Sequence, residues 1–435
     1  MTATTPNPFR RFFPILLCLF CAETLLPVQP QKGEFTTKNA ETQRDPGQEA
    51  AGDSKPGVHS SDPQQILSRA RTALKKGNQK EALRILSELG ESDGAGHFAA
   101  GRMLVEEKAY GAAAGEFGLA RRTYKDPYTA GYDQALAYLN AGDYPSAIET
   151  ANELLNQGHQ TAELADVAAT AYLKTSQTKE AYNALRLATH LDPKNEDAYV
   201  GLCQISLDYD NYDLGLELAN IGLSHLPNSE RLYVQRGVMR AMKAQFSEAE
   251  QDFATAAKLA PQEVLPAVAL ALVLMQNSEL DKAVEVLRQT ASQHPNDYFA
   301  QYWLAVALLH AGAVPGTKAG DEVLAALQAS VRSNPEFWHS RTELGKALLD
   351  RGDVDPAIVQ LQKAAGLNPA ATSPLFLLAQ AYRRKGDETR ARELAAQVSK
   401  MQTDDREALP QASLRHIVRE ETSSPSAETG EPGKH

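Results

Sequence analysis

The sequence predicts an all-α fold, a solenoid of about ten stacked helix-turn-helix units, from three observations: a repeat length, a ladder of small residues and a hydrophobic period. Proline marks the repeat. Pro193, Pro227, Pro261 and Pro295 are 34 residues apart, Pro335 follows after 40 and Pro369 after 34. Alanine keeps the spacing at Ala113, Ala147 and Ala181, Gly215 takes the next place, Ala249 and Ala283 follow, and Ala357 and Ala391 resume it after a six-residue insertion. Within each unit, apolar side chains recur at i, i+3, i+4 and i+7 in two successive segments with no sustained two-residue alternation, which means paired amphipathic helices.

Along the chain, the first element is residues 1–22, read as a signal peptide or an uncleaved N-terminal anchor. Arg10 and Arg11 precede an apolar stretch from Phe12 to Ala22 that Glu23 breaks. A helix of that length rises only about 16 Å, against a hydrocarbon core of about 30 Å, so the stretch suits a signal core better than a membrane span. The expectation is export, to a periplasmic, envelope-associated or secreted location, with membrane association only through this segment. Cys18 and Cys21 form a C-x-x-C inside that apolar core, the wrong setting for a redox pair. Residues 23–61 are rich in Gln, Gly, Pro, Ser and charge and read as a disordered linker. The repeats fill 62–400. The tail 401–435 resembles the linker, except that Leu414, Ile417 and Val418 sit at helical spacing and suit a short capping helix.

Repeating units read, for example, "ERLYVQRGVMRAMKAQFSEAEQDFATAAKLAPQE" and "WHSRTELGKALLDRGDVDPAIVQLQKAAGLNPAA". This pattern resembles the tetratricopeptide repeat, a 34-residue unit with an aromatic near position 4, Leu-Gly at 7 and 8, Ala at 20, Phe at 24, Ala at 27 and Pro at 32. Tyr233, Gly237, Ala249, Phe253, Ala256 and Pro261 match in one unit; Leu344, Gly345, Ala357, Ala364 and Pro369 match in another. Ten units follow, starting near residues 63, 94, 128, 162, 196, 230, 264, 298, 338 and 372. Small residues at positions 8, 20 and 27 let the helices approach closely, and proline ends the second helix. The first unit is offset by 31, the third has Gly131 where an aromatic is usual, and the eighth carries "AVPGTKAG" between its helices. The resemblance implies a right-handed superhelix whose first helices line a concave face holding an extended peptide or a partner helix.

Candidates for chemistry are few. A net charge of −11 and a pI near 5.5 argue against a nucleic-acid or acidic-membrane partner. Cys203 falls on position 8, a packing site. His190, His225 and His294 fall at the ends of second helices, where an imidazole favours the final carbonyls. No phosphate loop, nucleophile elbow, paired-carboxylate motif or metal-ligand pattern is present, and the segments outside the repeats are too short and polar for a catalytic domain. The expectation is a non-enzyme with no cofactor, no metal and no catalytic residue.

The groove positions of the resembled family, 2, 5, 6, 9, 12 and 13, give Glu163, Asp166, Thr170 and Lys174 in the unit at 162, a polar and solvated lining. In the units at 264 and 298 they give an apolar strip of Leu265, Val268, Leu272, Met275, Phe299, Tyr302, Trp303 and Val306, which is either buried between neighbouring units or a peptide-binding site. Val234, Gln235, Val238, Thr342 and Glu343 stand where members that bind acidic C-terminal tails carry Lys and Asn. The functional expectation is therefore a protein-interaction scaffold of the cell envelope or secreted space, with an apolar or helical peptide as partner and self-association through the same strip allowed. The alternatives are an accessory or regulatory subunit of an envelope biogenesis or secretion enzyme complex, or an adhesin acting through Arg351-Gly352-Asp353, which the register places in the turn between two helices.

Overall fold

The computed structural model describes residues 62–401; the signal, linker and tail readings fall on 1–61 and 402–435 and lie outside the described residues. Two compact units divide the chain, Met1–Ala260 and Pro261–His435. In unit 1 the helix pairs are α1 (Pro63–Lys75) with α2 (Gln79–Leu86), α3 (Gly94–Glu106) with α4 (Tyr110–Ala120), and α5 (Pro127–Ala141) with α6 (Tyr144–Asn156). They continue as α7 (Ala162–Lys174) with α8 (Thr178–Leu191), α9 (Glu196–Asp208) with α10 (Tyr212–His225), and α11 (Glu230–Met242) with α12 (Phe246–Leu259). Unit 2 holds α13 (Val264–Gln276) with α14 (Leu280–Gln293), α15 (Tyr298–His310) with α16 (Lys318–Ser333), and α17 (Trp338–Arg351) with α18 (Val354–Leu367). Last comes α19 (Thr372–Lys385), followed by helical residues 388–401. Among the described residues there is no strand, and the architecture is the all-α repeat solenoid that the period predicts.

Every first helix starts at the residue the register assigns, except α5, which starts one earlier because Asp126 caps it and Pro127 occupies its first position. Each helix packs on its repeat partner, most also pack on the next helix in sequence, and first helices touch in the pairs α1–α3, α5–α7, α9–α11, α13–α15 and α17–α19. The small-residue ladder is the reason they come so close. Ala70, Ala135, Cys203, Ala271 and Ala305 at position 8 are fully buried, as are Ala82, Ala113, Ala147, Ala181, Ala249, Ala283, Ala357 and Ala391 at position 20. At Gly237 the approach is too tight for any side chain: a Cβ there would lie 2.7 Å from the Phe253 ring, itself fully buried. Glycine at position 8 and a large ring at position 24 are thus one packing solution shared by two residues. Pro193, Pro227, Pro261, Pro295, Pro335 and Pro369 each follow the last helical residue by two, where no backbone N–H is needed.

The turn inside each unit has its own ladder. Gly77, Lys108, Gly142, Ser176, Asp210, Ala244, Ser278, Gly312, Gly352 and Gly386 all have positive φ. From Lys108 to Gly312 these fall every 34 residues, so the turn imposes the left-handed conformation whatever the side chain. Ala244, at φ 59°, has neither glycine's freedom nor a polar side chain to bond locally. Ala244→Gly is expected to stabilise unit 1 by about 1 kcal/mol; an unchanged urea midpoint would show that the turn carries no such strain.

Candidate functional site

In unit 2 the first helices α13 and α15 lie in contact and carry the apolar strip. Burial splits it in two. Val268 (0% exposed), Leu272 (3%), Trp303 (5%) and Met275 (7%) are core residues, whereas Leu265, Phe299, Tyr302 and Val306 remain half-exposed. The first set therefore holds the helices together and only the second can meet a partner. The physical reason is that a groove position also faces the first helix of the next repeat, and a long apolar side chain there is covered by it.

Around the half-exposed set stands a cluster of rings that the register reading missed. Phe299 and Tyr302 meet Trp303 edge-on at 6.1 and 5.2 Å between centroids. Tyr302 also meets Phe337 at 5.2 Å and His339 at 6.3 Å. Trp338 and Phe337 in turn flank the His339 ring at 3.7 and 4.9 Å. Ser330 fixes the arrangement: its hydroxyl donates to the Tyr298 carbonyl at 2.7 Å and lies 2.6 Å from the Ser340 hydroxyl, joining α15, α16 and α17. Burial pushes the His339 imidazole down to about 4, so the ring is neutral at physiological pH. Two polar atoms in this cluster, Trp303 Nε1 and His339 Nδ1, are buried without a hydrogen-bond partner among the described residues. The face can hold apolar side chains edge-on to its rings. The aromatic run Phe337-Trp338-His339 was the available signal. It opens the first repeat after the insertion, where the 34-residue count breaks, and so escaped a reading by count.

The expected polar lining of α7 needs correction. Glu163 and Lys174 are exposed, whereas Thr170 is 6% exposed and Asp166 is half-buried with its carboxyl pushed up to about 7 by burial, so only the two ends of this lining are solvated. Cys203 is fully buried, its thiol near the Gly215 carbonyl at 3.6 Å and pushed up to about 12 by burial, as a packing residue should be. His190 and His225 lie exposed in the last turns of α8 and α10, and His294 follows α14 directly, each at the negative end of a helix dipole. Among the described residues no group of His, Cys, Asp and Glu is placed to hold a metal, and no helix is long and apolar enough to cross a membrane.

Gly352 of the Arg351-Gly352-Asp353 turn is the left-handed residue of its unit, as the register predicts. Asp353 departs from its counterparts. Asn78, Asp143 and Asp387 accept from the N–H three residues on, at Glu81, Ser146 and Arg390. At Asp353 that position is Pro356, which has no N–H, and the carboxylate pairs with Arg351 instead. Both charged groups of the motif are thereby engaged with each other.

Residues 268–316, 321–372 and 342–405 match the family model of the tetratricopeptide repeat. Tetratricopeptide repeats lie within residues 268–405. Stacked repeats of this kind form extended surfaces on which protein partners can bind. Among solved structures, yeast Tom70 is 14% identical, with 84% of this chain and 91% of that chain covered and a TM-score of 0.47. A tetratricopeptide repeat protein from Parabacteroides merdae is 16% identical, with 58% and 98% covered and a TM-score of 0.45. YrrB, described as a tetratricopeptide repeat protein with an unusual peptide-binding site, is 18% identical, with 45% and 97% covered and a TM-score of 0.34. These are likenesses of helical-repeat fold. No curated protein matches the sequence.

Proposed function

We propose that this chain is a non-catalytic scaffold of the cell envelope or secreted space that holds the apolar side chains of a partner peptide or helix on the ring-lined face of unit 2. One observation carries this reading. Phe299, Tyr302 and Val306 stay half-exposed on α15, with Tyr302 against Phe337 and His339, although each lies in a tightly packed repeat where such side chains are normally covered. Rigid aromatic side chains anchor partners at low entropic cost, and a neutral imidazole keeps the face apolar. The envelope or secreted location is supported by the basic-then-apolar segment at 10–22. An accessory subunit of an envelope enzyme complex would use the same face and differ only in its partner.

Both tryptophans of the sequence, Trp303 and Trp338, belong to this cluster, so intrinsic fluorescence reports on its occupancy. Peptides selected by display against the full chain are expected to carry apolar anchors at i, i+3 or i+4 and to shift the emission. Phe299→Ala and Tyr302→Ala should each weaken them at least tenfold, in the manner of aromatic anchors, with the circular dichroism unchanged. Undiminished binding by both variants would place the partner elsewhere.

A further inference from the structure

A second face, in unit 1, has the opposite chemistry. It lies on the first helices α7, α9 and α11. On α7, Asp166 Oδ2 accepts a 2.6 Å hydrogen bond from Asn195, the N-cap of α9, while Asp166 Oδ1 is buried without a partner among the described residues. On α9, Asp197 is 5% exposed and paired with Arg231 of α11, which also reaches Glu196 at 3.3 Å. Arg231 is thus engaged by two carboxylates, and the charges of Asp197, Glu163 and Asp192 act on Asp166 in the direction that opposes its ionisation.

Two amide oxygens extend the row. Gln235 follows Arg231 by one helical turn on α11, so it points to the same face; it is 5% exposed, and its Oε1 has no partner among the described residues. Gln204, two turns after Asp197 on α9, donates its Nε2 to Asp208 at 2.7 Å and leaves its Oε1 buried and unpartnered. Asp166, Gln204 and Gln235 therefore each leave an oxygen acceptor without a donor. Buried acceptors are seldom left so in a folded protein, and N–H donors, carrying positive charge at Asp166, are the groups that would satisfy them.

We propose that this face of unit 1 binds a basic peptide segment, with a Lys or Arg side chain of the partner bonded to Asp166 and its neighbouring N–H groups accepted by Gln204 and Gln235. Rotation of the half-buried Asp166 carboxylate about its soft terminal torsion presents the unpartnered oxygen to the incoming cation. A guanidinium suits the site best, since its fork of N–H donors can reach a carboxylate and an amide oxygen together. The assignment is independent of the aromatic face, which lies in the other unit.

The test uses the full chain and fluorescein-labelled nonapeptides of Ala and Ser bearing two Arg, two Lys or two Glu, followed by anisotropy. The Arg peptide is expected to bind and the Glu peptide not to. Asp166→Asn should weaken the Arg peptide at least tenfold and Gln235→Met severalfold, whereas Glu217→Gln, an exposed carboxylate on α10, should leave it unchanged. Tyr302→Ala should also leave it unchanged, which separates this site from the one in unit 2. Equal losses from Asp166→Asn and Glu217→Gln would overturn the proposal in favour of diffuse attraction to an acidic protein, and so would full binding by Asp166→Asn.

Discussion

Trp303→Glu is expected to unfold unit 2, not merely to release a partner. The indole is 5% exposed and meets Phe299 and Tyr302 edge-on. Glutamate there removes an aromatic side chain worth about 3–5 kcal/mol on truncation, and it also places a carboxylate in an apolar core, where the group either stays ionised at a cost of several kcal/mol or takes up a proton. Total stabilities are of order 5–15 kcal/mol, so the loss approaches the whole. Met275→Glu, at a residue 7% exposed, acts in the same direction. Urea unfolding followed by circular dichroism checks this; a midpoint within experimental error of the parent would show that Trp303 is not a core residue. A binding experiment that charged these two positions would read folding, so Phe299 and Tyr302 are the residues to change.

Asp166→Asn has the opposite expected effect: it stabilises unit 1, by an amount that grows as pH rises from about 4 to 7. Burial, with Asp197, Glu163 and Asp192 adding to it and Asn195 opposing, pushes the Asp166 carboxyl up from 3.8 to about 7. In the unfolded chain this group ionises near pH 4, in the folded chain only near 7. Below pH 4 both states are protonated and the carboxyl costs nothing. As pH rises from about 4 to 7 the unfolded state releases a proton that the folded state retains, and stability falls. Three units correspond to at most about 4 kcal/mol above pH 7. The asparagine variant should therefore melt higher than the parent at pH 8 and together with it at pH 4. A gain of equal size at both values would mean that the carboxyl is already solvated. A residue whose ionised form destabilises its own fold is a common mark of a binding site, and a bound guanidinium would relieve the same cost.

Much of this molecule is legible before any coordinates. Proline two residues beyond six of the second helices, small residues at the close helix contacts and a capping Asn or Asp after several of the turns are local requirements, so they recur at the repeat length and can be counted. Counting assigns the Arg-Gly-Asp triplet to a turn whose left-handed residue is Gly352, and the structure agrees. Pro356 also stands in the sequence, but only the position of Asp353 relative to it shows why this turn lacks its side-chain cap. The candidate site was half legible. The register brings Phe299, Tyr302, Trp303 and Val306 to one helix, yet it does not say which of them the next repeat covers.

What the sequence determines by itself is therefore the periodic part: helix starts, turns and the small residues that let helices meet, because each depends on neighbours a fixed number of residues away. What only the tertiary structure decided is accessibility. Trp303 is core while Tyr302 is open, and Asp166 is half-buried with one oxygen unpartnered in a lining that reads as polar and solvated. Exposure depends on how far the side chains of the following repeat reach, and their packing sets the cost of burying each polar atom.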